Sequence, residues 1–287
     1  MHFQPRQKMN NLDLSFVNAV PIVLTSHDEL EIILCGCGGS GSWLAPSIAR
    51  LVRIIQESSR KISTYFVDFD IIENANIPRQ NFSDAELGLN KAQVLALRYG
   101  LAWGVEIVAI PERFDPDMVQ RKYRKLTVVI GCVDNAAARG AIAQCLEYRY
   151  DDHQGPKVWW LDAGNSENGG QVLLGSAVNP LQMKVAFSRV DGVGLSLCAA
   201  LPAPSIQHPE LLVARPEELE NNNLSCEQLA LVNAQSLMVN QRVASEVADY
   251  LLRLLVTKNL KRFATYFDLS SGSSRSKYVV PEVIALF

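Results

Sequence analysis

The stretch from Ile32 to Gly41, Ile-Ile-Leu-Cys-Gly-Cys-Gly-Gly-Ser-Gly, constrains the fold more than any other part of the chain. A short apolar run of this kind is the pattern of a buried parallel strand. It breaks into Gly36, Gly38, Gly39 and Gly41, and a helical pattern follows from Ser42 to Ile55. A strand that ends in glycines and re-forms as a helix makes an anion site. The glycines let the backbone come close to a phosphate, and the helix start aims N–H groups and a partial positive charge at it. A lone Gly-x-Gly-x-x-Gly is a weak signal, and the order strand, glycines, helix strengthens it. The alternative is a tight strand-to-helix turn with no ligand. If a nucleotide binds here, its identity has to be read from the rest of the chain.

Whether the chain can build a fold around that turn is a question of length and composition. At 287 residues it suits one large α/β domain or two small ones, and 48% hydrophobic with 20% charged residues is enough to bury a core. A formal net charge of −3 argues against a broad basic surface for nucleic acid. No apolar run approaches the ~20 residues of a membrane span. Met1 to Asn10 carries Arg6 and Lys8 with no apolar segment behind them, so no signal peptide is expected. The six cysteines, Cys35, Cys37, Cys132, Cys145, Cys198 and Cys226, form no disulfide framework. A reducing cytoplasm is therefore the expected location. With no Cys-x-x-Cys, a structural zinc site is not expected either.

Taken in order, residues 1–30 suggest an arm or short helix lying on the domain or on a partner subunit. The first strand is expected at Glu31 to Cys35. The second, Ile62 to Phe69, leads into Asp68 and Asp70, and an acidic residue at the end of a second strand takes ribose hydroxyls in a Rossmann unit. A strand-terminal turn residue is the alternative for Asp68 alone. Next come Asn76, Arg79 and Gln80 around Pro78, then Ser83-Asp-Ala-Glu86, a capping box expected to start a helix that resumes at Lys91. A dehydrogenase has no need of Asn, Arg, Gln and Lys gathered here, whereas a triphosphate calls for an Arg fork and a Lys ammonium.

Further strands are expected at Val105 to Ile110, Leu126 to Ile130 and Val158 to Leu161, the last ending at Asp162-Ala163-Gly164. Gln171 to Gly175 follows as a strand leaving a turn. Asp134 falls at the carboxyl end of the fourth strand, where doubly wound sheets bind ligands. A carboxylate there, near phosphates, suits Mg²⁺, and it or Asn135 would cap the helix from Ala136 in any case. Residues 191–224 hold Pro202, Pro204, Pro209 and Pro216 and suggest a structureless lid or crossover loop. The pattern from Glu227 to about Val256 is a long helix with Val239, Val243, Val247, Leu251 and Leu254 on one stripe, which implies packing or a subunit interface. A last strand at Phe263 to Leu269 and a Gly/Ser turn from Ser270 to Ser276 close the chain. The expectation is a Rossmann-like, doubly wound, mostly parallel sheet, in one domain over residues 31–287.

Gly36-x-Gly38-Gly39-x-Gly41, Asp68-Phe-Asp70, Asn76-x-x-Arg79-Gln80, Lys91 and Asp134-Asn135 occur in an order that resembles the ThiF/MoeB/HesA and ubiquitin-activating-enzyme superfamily. Gly170-Gln171-Val172 and Ser225-Cys226 before the long helix fit it too, so the resemblance spans about residues 31–257. Its flavour is similar to the ThiF-like protein of plasmid-borne PRTRC systems. The resemblance implies a homodimer that uses ATP and Mg²⁺ to adenylate the C-terminal Gly of a small ubiquitin-like or sulfur-carrier protein. It implies that Asp68 holds the ribose, that Asn76, Arg79 and Lys91 contact the phosphates with Gln80 and Asp70 beside them, and that Asp134 binds Mg²⁺. Cys226 occupies the position that resembles the family's reactive cysteine, and Arg6 is the candidate for an arginine reaching a partner's site. A small buried hydrophobe and a solvated terminus are the respective alternatives. Other functions to weigh are an NAD-dependent oxidoreductase, which leaves Arg79, Lys91 and Asp134 unexplained, and a non-catalytic adaptor for a ubiquitin-like partner. An ATP-dependent cyclase acting on a tRNA base is disfavoured by the modest acidity.

Overall fold

The computed structural model describes residues 15–58, 60–147, 156–166, 168–184, 186–189, 196–214 and 226–287. Its centre is an eight-stranded sheet. In chain order the strands and helices begin with α1 (Ser15–Asn18), β1 (Glu29–Cys35), α2 (Gly39–Glu57), β2 (Lys61–Val67), α3 (Lys91–Trp103), β3 (Val108–Ile110), β4 (Lys125–Gly131), α4 (Ala136–Gln144), β5 (Val158–Asn165) and β6 (Gly169–Gly175). They continue with α5 (Pro180–Lys184), β7 (Phe187–Arg189), β8 (Ser196–Cys198), α6 (Pro204–Gln207), a long helix α7 (Cys226–Leu251), β9 (Arg262–Asp268), β10 (Ser273–Tyr278) and α8 (Pro281–Ile284). The sheet runs β10-β9-β6-β5-β4-β1-β2-β3. The five strands from β5 to β3 are parallel, and β6, β9 and β10 extend the sheet antiparallel.

Alternation along the central strands builds two apolar layers. Ile32, Leu34, Val128, Ile130, Trp159 and Leu161 face one, with α2, α3 and α7. Ile33, Cys35, Val129, Val158 and Trp160 face the other, with Ile142 of α4 and Ala203. Strands covered on both faces have no solvent side, which is why the later halves of β1 and β4, Ile32–Cys35 and Val128–Ile130, are apolar without interruption by period two. The stripe Val239, Val243, Val247, Leu251 and Leu254 of α7 and its π-helical continuation Leu252–Val256 is buried, at 2% exposure or less, against α2 and the sheet. It is core packing.

Several expectations change. β1 and β4 begin two and one residues earlier than the apolar runs suggest, because Glu29, Leu30 and Lys125 join the ladder. β5 continues to Asn165, so Asp162 lies inside the strand opposite Gly131, not at its end. The capping box at Ser83 exists but holds only the 3-10 turn Asp84–Glu86, since Gly88 at φ +80° turns the chain before α3. The Ser/Gly turn is shorter than expected, and Ser273–Tyr278 forms β10.

The proline-rich segment is corrected most. Residues 196–214 carry β8, α6 and the 3-10 turn Pro209–Leu212, with prolines at the first helical positions, where a missing N–H is harmless. Leu201, Ala203 and Leu211 are buried, and Pro202 lies so close to β6 that a Cβ on Gly175 would stand 2.0 Å from its carbonyl oxygen. This part is packed structure. The remaining lid residues, 191–195 and 215–224, lie outside the described residues, as does Arg6. From Ser15 on, the arm belongs to the domain: Ile22 is buried and bridges to Cys198. Among the described residues no helix is long and apolar enough to cross a membrane.

Candidate nucleotide site

β1 and β4 are neighbours, with β2 on the outer side of β1 and β5 on the outer side of β4. The loops leaving β1 and β4 therefore diverge to opposite faces and open a crevice at the carboxyl ends of the strands. A cavity of about 840 Å³ fills that crevice. Gly36, Gly38, Gly39, Asp68, Asp70, Asn76, Arg79, Gln80, Lys91 and Asp134 all line it. Residues from Gly36 to Asp134 are thus brought to one place.

The glycines have separate reasons. Gly36 has φ +87°, and a Cβ there would stand 2.6 Å from the Cys132 carbonyl oxygen. Gly41 does not line the cavity: its Cβ would lie 1.9 Å from the Gly36 carbonyl oxygen, so it lets α2 fold back on the loop. Gly38 and Gly39 are the floor.

Asp68 is 8% exposed and first serves the protein. One carboxylate oxygen accepts the Cys37 N–H at 2.6 Å and the other the Asp70 N–H at 2.9 Å. Burial pushes its pKa above the usual carboxylate range, against those two N–H donors and Lys91. Each oxygen keeps a second lone pair for a ribose hydroxyl. Lys91 opens α3 almost fully buried, with Nζ 3.2 Å from Asp70. Asn90 caps that helix on the Gln93 N–H and donates to the carbonyls of Asp68 and Asp70, which ties the acidic loop to the lysine. Asn76 accepts the Glu73 N–H in a capping box and is buried.

Arg79 and Gln80 are different. The Arg79 Nε and the Gln80 Oε1 are buried without a hydrogen-bond partner among the described residues. Gln80 stands beside Gly38, 3.6 Å from where a Cβ would be. Groups in this condition destabilise the fold unless something else satisfies them. Asp134 is exposed at the start of α4, and Asn135, not Asp134, caps the helix through the Ala138 N–H. That leaves the Asp134 carboxylate free of the cap. One open carboxylate beside a cavity lined by Lys91 and Arg79 fits a hard cation shared with phosphate oxygens.

The cysteines are less suited to chemistry. Cys198 is fully buried, donates to the Ala200 carbonyl, and burial pushes its thiol up to about 12. Burial also raises Cys35, Cys37, Cys132 and Cys145. Cys226 is the first residue of α7, and its side chain lies outside the described residues. It precedes Asn240 by fourteen positions on one helix, a separation of about 21 Å by helical rise.

Two groups at the site are absent from the sequence expectations. Phe69 and Arg113 both line the cavity, with the guanidinium stacked 3.8 Å from the ring centroid. Asn240 of α7 also lines it, 2% exposed. Its only local signal is a polar residue at a core position of the helical stripe, one turn before Val243 and Ala244.

The comparisons agree with this architecture. No curated protein matches by sequence. E. coli MccB crystallised with ATP is 17% identical, with a TM-score of 0.52 over 87% of this chain and 64% of that one. The microcin C7 biosynthetic enzyme MccB in complex with N-formylated MccA is 18% identical, with the same TM-score and coverage. The likeness is one of fold, and this chain spans 64% of the length of those structures. The model of the ThiF family matches residues 24–276, nearly the whole chain, and by that match the chain belongs to the ThiF family.

Proposed function

We propose that this protein is an ATP- and Mg²⁺-dependent adenylyltransferase that activates the C-terminal carboxylate of a small ubiquitin-like or sulfur-carrier protein, working as a homodimer. The observation that carries the reading is the convergence of Arg79, Lys91 and Asp134 on one cavity around the glycine loop, with the Arg79 Nε and Gln80 Oε1 buried and unsatisfied. That donor set fits a triphosphate better than a dinucleotide. Same-fold structures holding ATP or the peptide MccA support it by analogy. The PRTRC-type subfamily and a cytoplasmic location belong to the same proposal.

In this reading Asp68 accepts from the ribose, the glycine loop and Asn76 lie along the phosphates, and Asp134 holds Mg²⁺, which supplies charge neutralisation when bound. Arg79 and Lys91 stabilise negative charge growing on phosphate oxygens. A carboxylate oxygen of the carrier bonds to the α-phosphorus as the bond to the pyrophosphate oxygen breaks. The chain needs no general base, because the attacking carboxylate is already ionised. Catalysis is then positioning plus electrostatics.

The test is ATP–pyrophosphate exchange with small Gly-Gly-ending proteins. Exchange is expected only with the carrier present. Asp134→Ala is expected to lower it at least about 100-fold, as loss of a transition-state charge contact does, with the melting temperature unchanged because Asp134 is exposed. Normal exchange in that variant removes the metal assignment. Tight ATP binding with no exchange for any carrier favours the adaptor reading instead.

A further inference from the structure

We infer that Asn240 is the positioning residue that locks the floor of the phosphate site before any nucleotide arrives. The inference rests on the nucleotide reading above. Asn240 lies on the long helix, 200 residues from the glycine loop, yet its amide joins three separate walls of the cavity. Its Oδ1 accepts the Ser40 hydroxyl at 3.3 Å and the Asn165 amide N–H at the end of β5. Its Nδ2 donates to the Arg79 carbonyl at 3.3 Å. Trp43 and Ser42 also tie the start of α2 to the arginine segment, and this amide is the contact from the long helix that reaches both Ser40 and the Arg79 carbonyl.

Three further observations point the same way. A Cβ on Gly39 would lie 2.9 Å from the Asn240 Oδ1, so the amide packs directly on the loop and a larger residue there would displace it. The Arg79 carbonyl also accepts the Trp43 indole N–H at 3.2 Å, so the arginine backbone is fixed from two sides. Its guanidinium Nε and the adjoining Gln80 Oε1 are left unpartnered among the described residues. The backbone is pinned, and both residues line the cavity. An amide suits this place because it is polar without charge. A carboxylate would put a negative charge beside the phosphates, and the Val243 and Val247 side chains one and two turns on show what simple packing would select. Burying an amide has a cost unless it is fully hydrogen-bonded, and here every bond goes to the cavity walls.

Two variants test this: Asn240→Leu, which keeps the branched outline and removes all three bonds, and Asn240→Asp, which keeps the shape and removes only the donor to Arg79. The first measurement is backbone hydrogen exchange in the ligand-free protein. Residues 38–40 and 79–81 are expected to exchange at least about tenfold faster in both variants, the effect of losing one net hydrogen bond, with β1 and β4 unchanged. The second is calorimetric titration with ATP, ADP and adenosine. ATP and ADP affinity is expected to fall about tenfold, more in Asn240→Asp, while adenosine affinity holds. Equal loss for adenosine, or unchanged exchange in both segments, overturns the inference. Wild-type protein that binds no ATP overturns both it and the nucleotide reading, whereas wild-type binding with unaltered variants overturns this inference alone. If Asn240→Leu does not fold, Ser40→Ala, which removes one partner, takes its place with the same measurements and the same criteria.

Discussion

The two ends of the parallel strands bury charge in opposite ways. At the amino end, Glu31 of β1 meets Lys125 and Thr127 of β4. Lys125 Nζ donates to one carboxylate oxygen at 2.5 Å and the Thr127 hydroxyl to the other at 2.9 Å. All three residues are buried, and none of these side-chain atoms is unsatisfied among the described residues. At the carboxyl end, Asp68, Lys91, Arg79 and Gln80 line a cavity of about 840 Å³, and the Arg79 Nε and Gln80 Oε1 are without partners among the described residues. Burial alone therefore does not mark a functional site. A closed, mutually satisfied group is part of the scaffold, and in the nucleotide reading proposed above the open group completes its hydrogen bonds on the ligand.

That contrast can be broken by substitution. Glu31→Ala leaves Lys125 buried and unpaired, and it should lower the unfolding free energy by about 3–5 kcal/mol. Exchange activity per folded molecule should not change. This is the reverse of Asp134→Ala, and a loss of activity beyond the folded fraction would erase the distinction. Denaturant melts at several urea concentrations measure it. Gly41→Ala at the carboxyl end should cost about 1–3 kcal/mol through overpacking on the Gly36 carbonyl. Because α2 must then move off the loop, ATP binding should weaken as well. Gly140→Ala on α4 is the matched control: nothing lies within 4 Å of its Cβ, and alanine should stabilise that helix by about 0.5–1 kcal/mol.

The smallest effect concerns pH. Burial raises the Asp68 pKa in the folded protein, so the folded state binds that proton more tightly than the unfolded chain does. The stability this group contributes is present below the unfolded carboxylate pKa and is lost as pH rises through the folded value. The deficit of Asp68→Asn relative to wild type should therefore be larger at pH 4 than at pH 7 in urea melts. A gap that widens toward pH 7 would mean the Cys37 and Asp70 N–H donors outweigh burial.

Much of the carboxyl end was legible beforehand because its chemistry is local. Gly36 opens the glycine turn, Asp68 follows the end of one strand, Lys91 starts a helix, and Asp134 lies in the loop after another strand. Each is a short-range pattern of backbone and side chain. The proline-rich segment misled for the same reason. Its composition suggested an open loop, yet Pro204 and Pro209 start helical turns that pack Ala203 and Leu211 inward. Proline's local preference is shared by loops and helix starts, and only burial separates them.

The chain's periodicity and glycine spacing by themselves determined a doubly wound sheet with a glycine turn after its first strand, and the resemblance carried by its polar motifs implied which residues would gather there. Tertiary structure decided which of those residues have atoms left over. Asn240 reaches Ser40, Arg79 and Asn165 across separations of 200, 161 and 75 residues. Glu31 finds Lys125 at a separation of 94. Hydrogen-bond satisfaction is a property of contacts set by how helices and strands pack, and no local pattern carries that information.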